Sequence, residues 1–468
     1  MAISKQLKLS GLFFLLGIFI HPVQSQTQVE LDRIYSIPEL QTDFKVLRNR
    51  YESRFTNLEL YHSAQQVQLV FDSLYQHITP MNAREFYSYI CTLNSYIKDG
   101  HSNLLPDTKT SQYHYLNSRY LPFDIYVNNK SLFIKANYTG NLTIPVGAEI
   151  QSINGLKSAD IYEFMMNRQV RDGLNEQYAL WILNHYFKEY YSFYFGHPNK
   201  YQIQVNTGTG KSHFTTLDGL TNIQIDQNKL IYSAPTIKNV FELPNFRVKY
   251  DTSENVAIIT IKTWEYPNLK SEIKMAFEEI GKQGINNLIV DIRDNQGGNF
   301  KPAIYLCSYL LNQPFKYYLD VKSVRRNNKG QRKFRSKKSF LLKTFSPVSK
   351  PFKGKVYVLI NGGTFSNSTA FSSCLANYKR AVFVGEETGG DAVISSGVFS
   401  SKAYIELPNT HIQCENSNYQ LHLNSSTSHN GRGLLPDYQV QSTLDDVIMG
   451  HDPVMEKTRS LIQSNREQ

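Results

Sequence analysis

The feature that most constrains this chain is residues 361–391, NGGTFSNSTAFSSCLANYKRAVFVGEETGGD. An aliphatic, β-branched run at 356–360 (VYVLI) precedes it and reads as a buried strand that stops at Asn-Gly-Gly. After the turn, Ala370, Phe371, Cys374, Leu375 and Tyr378 recur at helical spacing, and 381–384 reads as a second buried strand ending at Gly385. Strand, glycine turn, serine, helix, strand sets the Ser366 hydroxyl at a helix N-terminus. Unpaired N–H groups and the positive end of the helix dipole favour a developing oxyanion there. The plainer reading of such a serine is a helix cap.

A second glycine turn bears on that choice. Residues 288–291 (LIVD) read as another buried strand, followed by IRDNQGG at 292–298. Paired glycines let a backbone N–H approach a substrate carbonyl closely, and two such strand-end turns suit acyl transfer. DIRDNQGG (291–298), TFSNS (364–368), RAVFVGEETGG (380–390) and GRGLLPD (431–437) stand in this order. Together they resemble the C-terminal processing peptidase (tail-specific protease) family of serine peptidases, over roughly residues 241–446 and more weakly before.

The resemblance implies peptide-bond hydrolysis through an acyl-enzyme. Ser366 is then the nucleophile, and the backbone N–H groups of Asn367 and of Gly297 or Gly298 are the oxyanion donors. One branch of the family places a lysine base just after the second glycine turn, where this chain has Asp391. The branch of the tricorn core and the interphotoreceptor retinoid-binding protein uses a histidine at the place of DGHS (99–102), which makes His101 the general base. Taken alone, a histidine after a helix-ending Asp-Gly is a loop or capping residue. The family's acid, expected just before GRGLLPD, is replaced by Asn430, which can orient an imidazole but carries no charge. Ser102, Ser368 or a carboxylate elsewhere are the alternatives for orienting the base, and capping explains Ser368 equally well. That departure keeps a second reading open, a degenerate member that binds peptides or apolar ligands without cleaving them. A peptide-binding module and an esterase on the same machinery are further readings. No metal or other cofactor is expected.

At the N-terminus, Lys5 and Lys8 precede an apolar run at 9–20, and 1–25 reads as a signal peptide cut after Ser25; an uncleaved anchor is the alternative. The expectation is an exported protein, periplasmic, cell-surface or extracellular, with no stable membrane insertion after cleavage. Four cysteines (Cys91, Cys307, Cys374, Cys414) lack CxxC spacing, which disfavours zinc and thioredoxin-type readings, and their pairing stays open. Cys374 reads as a buried apolar residue. The net charge of +10 is local: 322–343 holds ten Lys and Arg and no acid, so the remainder is balanced. Because this run lies inside the presumed core region, it reads as a solvated hairpin or flap rather than a nucleic-acid surface. The partner expected is a peptide or unfolded protein. Asn367 heads a formal glycosylation sequon, and a glycan there would block the site.

The fold class expected is α/β (α+β) and multidomain. A helical domain spans 26–105, with apolar faces at Phe44/Leu47/Tyr51, Val67/Phe71/Leu74 and Phe86/Ile90/Leu93/Ile97. A PDZ-like, β-rich module spans 118–220; alternating runs at 123–127, 131–136, 201–205 and 213–217 flank GAEIQSING (147–155) and an amphipathic helix at 159–167. Peptide capture along its edge and a plain spacer role are both open. Residues 174–194, rich in aromatics at helical spacing, read as core packing against a neighbouring domain rather than a ligand groove. The peptidase core spans 238–450, where strands 256–261 and 288–291 alternate with helices 269–281 and 301–311, then antiparallel runs at 398–407 and 419–423. A helix at 452–462 lies in the C-terminal segment 451–468.

Overall fold

The computed structural model describes residues 31–208, 212–232, 245–326, 332–397, 404–415, 417–425 and 431–464. The expected signal segment, most of the 398–407 run and Asn430 lie outside the described residues.

The core is a six-stranded sheet. Its strands lie in the order Phe246–Asp251, Val256–Ile261, Asn287–Asp291, Lys355–Ile360, Val382–Gly385, Tyr438–Gln439; the first pair is antiparallel and the others are parallel. Strands buried on both faces must be apolar at successive positions, and Val256–Ile261 is buried throughout. Ala257, Ile259 and Ile261 face one apolar cluster, while Val256 and Ile258 face another. Helices Leu269–Lys282, Phe300–Leu310 and Asn367–Asn377 cover the first face through Leu269, Ile273, Ala303, Cys307, Ala370 and Phe371. Helix Pro453–Ser464 covers the second through Val454 and Ile462. This is the α/β layering expected from the strand–helix alternation. Because the central strands are parallel, their C-terminal ends share one edge, and the turns after Asp291, Ile360 and Gly385 gather there.

Upstream, helices Ile37–Arg54, Ala64–Gln76, Ala83–Ile90 and Thr92–Ile97 precede an antiparallel sheet of Phe123–Asn128, Ser131–Asn137, Glu149–Ile153, Lys200–Asn206 and Ser212–Asp218. One apolar cluster runs through the helices and this sheet and takes in Phe365, next to Ser366. The aromatic stretch forms helix Gln177–Phe195, with non-helical φ/ψ at Tyr186. Its Tyr178 ring stacks on Phe365 at 3.9 Å, so its aromatics are core packing. Helices Thr108–Asn117 and Asn222–Tyr232 were not expected from periodicity.

The basic run forms strand Tyr318–Arg326 paired antiparallel with Arg332–Ser336, where Lys333, Phe334, Arg335 and Ser336 are exposed. The second strand is thus the solvated arm, while the first also pairs with Tyr419–Leu423 and buries Val321 and Val324. All four cysteines are buried free thiols. Among the described residues, no helix is long and apolar enough to cross a membrane.

Candidate active site

Ser366 stands between strand Lys355–Ile360 and helix Asn367–Asn377 with φ 55° and ψ −119°. A non-glycine residue at positive φ is strained and persists only where its surroundings impose it. Here Phe365 N–H donates to the Asn295 carbonyl at 3.1 Å, and Thr369 Oγ1 donates to the Thr364 carbonyl at 2.9 Å. Ser366 makes no side-chain cap bond to its helix, so the capping reading does not hold. Its Oγ lies instead 2.9 Å from His101 Nε2. The two stand 265 positions apart in sequence and are brought together by folding alone.

The two glycine turns close on this elbow. A Cβ on Gly297 (φ 107°) would lie 2.8 Å from Ser366 Cβ and 2.9 Å from Asn367 N, and one on Gly390 would lie 2.7 Å from Thr369 Oγ1. Gly297 N–H already donates to Asn295 Oδ1 at 3.0 Å. Asn367, as the first helical residue, has no intrahelical acceptor for its N–H. Its side chain is buried, with Nδ2 donating to the Asn299 carbonyl at 2.9 Å and Oδ1 accepting from Tyr317 at 2.9 Å. That leaves no room for a glycan on the folded chain.

His101 follows helix Thr92–Ile97, which ends on left-handed Lys98 (φ 60°). Asp99 Oδ1 accepts from His101 N–H at 2.9 Å, and Phe365 stacks on the imidazole at 4.6 Å. Burial pushes the imidazole down from the ordinary 6.5 to about 4. Its other nitrogen, Nδ1, lies 3.0 Å from Ser396 Oγ, and Ser396 lies 3.0 Å from Asp99 Oδ1. Asn57 Nδ2 donates to Asp99 Oδ2 at 2.8 Å. Asp172 sits alongside, accepting from Gly100 N–H at 2.7 Å and Asp391 N–H at 3.1 Å. Burial raises the pKa of Asp99 and raises Asp172 well above the ordinary range, with Asp99 and Asp391 adding repulsion on Asp172. Burial therefore works against the charged form on both carboxyls, more strongly on Asp172.

Of the other expected residues, Ser368 accepts from the Trp264 indole at 2.8 Å, and Ser102 is buried with its N–H on the Asp99 carbonyl. Neither is a hydrogen-bond partner of the imidazole. The expected position of a lysine base, Asp391, instead accepts from Val393 and Ile394 N–H at 2.7 and 2.8 Å and starts strand Ile394–Gly397. Asp99, His101 and Asp172 present atoms within 4.8 Å of one another, a spacing that suits a cation. Both imidazole nitrogens and both oxygens of each carboxyl already have protein partners, so the cluster reads as a hydrogen-bond network. Asp99 stands within DGHS, where the Asp-Gly pair signals only a helix stop. Ser396 carries no motif at all.

Comparison with known proteins agrees with the core. Residues 255–440 match the model of peptidase family S41. The chain is 29% identical over 150 residues to a probable CtpA-like serine protease of Staphylococcus epidermidis, covering 32% of this chain and 28% of that protein. It is 28% identical over 163 residues to carboxyl-terminal-processing peptidase 2, chloroplastic, of Arabidopsis thaliana, covering 35% of this chain and 28% of that one. The match thus spans under a third of these relatives' own length. In fold, the chain resembles mature CPAF with a TM-score of 0.65 at 13% identity, covering 91% of this chain and 97% of that one. The residues that match the family S41 model, 255–440, hold the serine elbow and both glycine turns.

Proposed function

We propose that this protein is an exported serine peptidase that cleaves peptides or unfolded protein segments through an acyl-enzyme. The observation that carries the reading is the 2.9 Å approach of His101 Nε2 to Ser366 Oγ at a strained, uncapped elbow. The hydroxyl proton passes to Nε2 as Oγ bonds to the scissile carbonyl carbon. The same proton then goes to the leaving amine as the C–N bond breaks, and water, deprotonated by His101, releases the acyl group. The N–H groups of Asn367 and Gly298 hold the oxyanion, since Gly297 N–H is engaged by Asn295; losing one such donor costs about 3 kcal/mol of transition-state stabilisation. Residues 118–220 act as a PDZ-like module, a reading supported by their six-stranded antiparallel sheet beside helix Ser158–Met166. Such a sheet can take an extended chain along its edge.

A fluorophosphonate probe should label wild-type protein on Ser366, and Ser366→Ala should lose both labelling and peptide turnover. Folded protein that binds peptides tightly yet never reacts with the probe would favour the non-cleaving reading instead.

A further inference from the structure

The base of a serine hydrolase needs a partner on its far nitrogen, to fix the tautomer and to stabilise the imidazolium formed on proton uptake. Resting on the peptidase reading, we infer that Ser396 and Asp99 supply this partner together, as a hydroxyl-bridged relay ending on a carboxylate two residues before the histidine itself. For Nε2 to accept the Ser366 proton, Nδ1 must carry the other hydrogen and donate it to Ser396 Oγ at 3.0 Å. The Ser396 hydroxyl then donates to Asp99 Oδ1 at 3.0 Å. No proton needs to leave Nδ1. The carboxylate acts through the oriented hydroxyl dipole, and both are positioning residues.

Three features mark the relay as built rather than incidental. Ser396 and Asp99 are each about 1% exposed, so the hydroxyl has no competing solvent. Asp99 is pinned by donors on both oxygens: His101 N–H and Ser396 on Oδ1, Asn57 Nδ2 and Ser417 on Oδ2. Asn57 is itself oriented by Gln420 Nε2, which donates to its Oδ1 at 2.9 Å. The elements converge from distant parts of the chain, since Ser396 lies on strand Ile394–Gly397 and Gln420 on the strand Tyr419–Leu423 that pairs with it. A charged partner of this kind answers the loss of charge that Asn430 represents in the sequence.

The test uses the full-length protein with Ser396→Ala, Asp99→Asn and the double variant. Each single change should lower kcat by at least about 10²-fold and up to about 10⁴-fold, the loss that follows when a catalytic imidazole is held in the wrong tautomer. KM should stay within about threefold, because neither residue touches substrate. The double variant should be no slower than the worse single one, since both changes cut the same path. Nitrogen-15 spectra of His101 should show the Nδ1–H tautomer in wild type and its loss in Ser396→Ala. Turnover of Ser396→Ala within threefold of wild type, an unchanged tautomer, or multiplicative losses in the double variant would each overturn the relay. The two readings fail separately: a wild type inert to the fluorophosphonate probe sinks the peptidase assignment. A reactive wild type matched by an equally reactive Ser396→Ala sinks the relay alone.

Discussion

At the scale of single residues, the proposed site combines a strained serine with a desolvated histidine. The depressed pKa of His101, about 4, has a direct consequence for pH dependence. A base must be neutral to accept a proton, so a lowered pKa extends the active range downwards. The expected kcat/KM profile stays level from neutrality to about pH 5 and is half lost near pH 4. Stability moves with it. His114 and His197 are also pushed down by burial, to about 4 and about 3. The unfolded chain takes up protons below the ordinary 6.5 that the folded chain refuses, so stability falls as pH drops from there. Rates should therefore be read by pH jump, before unfolding, with melting followed in parallel. An acid limb centred near 6.5 would mean that the imidazole is solvated or is not the base. Ser366 and His101 were legible as candidates because each sits in a short motif that the family resemblance singles out. Ser396 was not, because a hydroxyl in an unpatterned strand says nothing until folding sets it beside an imidazole.

At the scale of elements, burial on both faces decided what could be read. Strand Val256–Ile261 and helix Leu269–Lys282 stand nearly where their apolar patterns put them, because two-sided burial and amphipathic spacing leave little ambiguity. Helix Thr108–Asn117 buries no residue and is started by Asp107 accepting from Thr110 N–H, so it has no apolar stripe to read. The C-terminal helix illustrates the energetics. Ile462 is 2% exposed against the far face of the sheet, where Ile289, Tyr357 and Leu359 also point. Ile462→Ala should destabilise the protein by about 2–4 kcal/mol. The elbow lies across the sheet in another cluster, so Ser366 labelling by the probe should be unchanged below the melting transition. Denaturant unfolding and probe kinetics on the same sample check both halves, and a variant that melts normally would show that this helix is only loosely docked. Arg293 adds a tether at its start, forking to Asp291 at 2.8 Å and to Asp452 at 2.8 Å.

At the scale of the whole molecule, His101 and Ser366, the proposed base and nucleophile, stand 265 positions apart, so something must hold the two parts in register to within a hydrogen bond. The segment from Asp172 to Asn175 lies at that junction. On one side Gly173 N–H donates to the Lys98 carbonyl at 3.0 Å and Asp172 accepts from Gly100. On the other, Leu174 N–H donates to the Gly431 carbonyl at 2.8 Å, and Asn175 Nδ2 donates to the Thr388 carbonyl at 2.6 Å and the Gly389 carbonyl at 3.3 Å. Asn175 is fully buried, and its Oδ1 accepts from Gln177 N–H at 2.9 Å. Asn175→Ala leaves two buried carbonyls without this donor, at about 1–3 kcal/mol. Asn175→Asp keeps the Oδ1 contact but sets a second carboxylate oxygen against those same carbonyls, so it should be the more damaging change. A shift of about 1 Å between base and nucleophile can cost about 100-fold in rate. Both variants should therefore lose kcat more than KM, with Asp below Ala in turnover and in melting temperature. An Asp variant close to wild type beside a damaged Ala one would mean that volume, not the donated hydrogen bonds, is what position 175 contributes. Wild-type kcat in both would mean that His101 finds Ser366 without this strut, through the apolar packing of Tyr178 and Phe365 beside it.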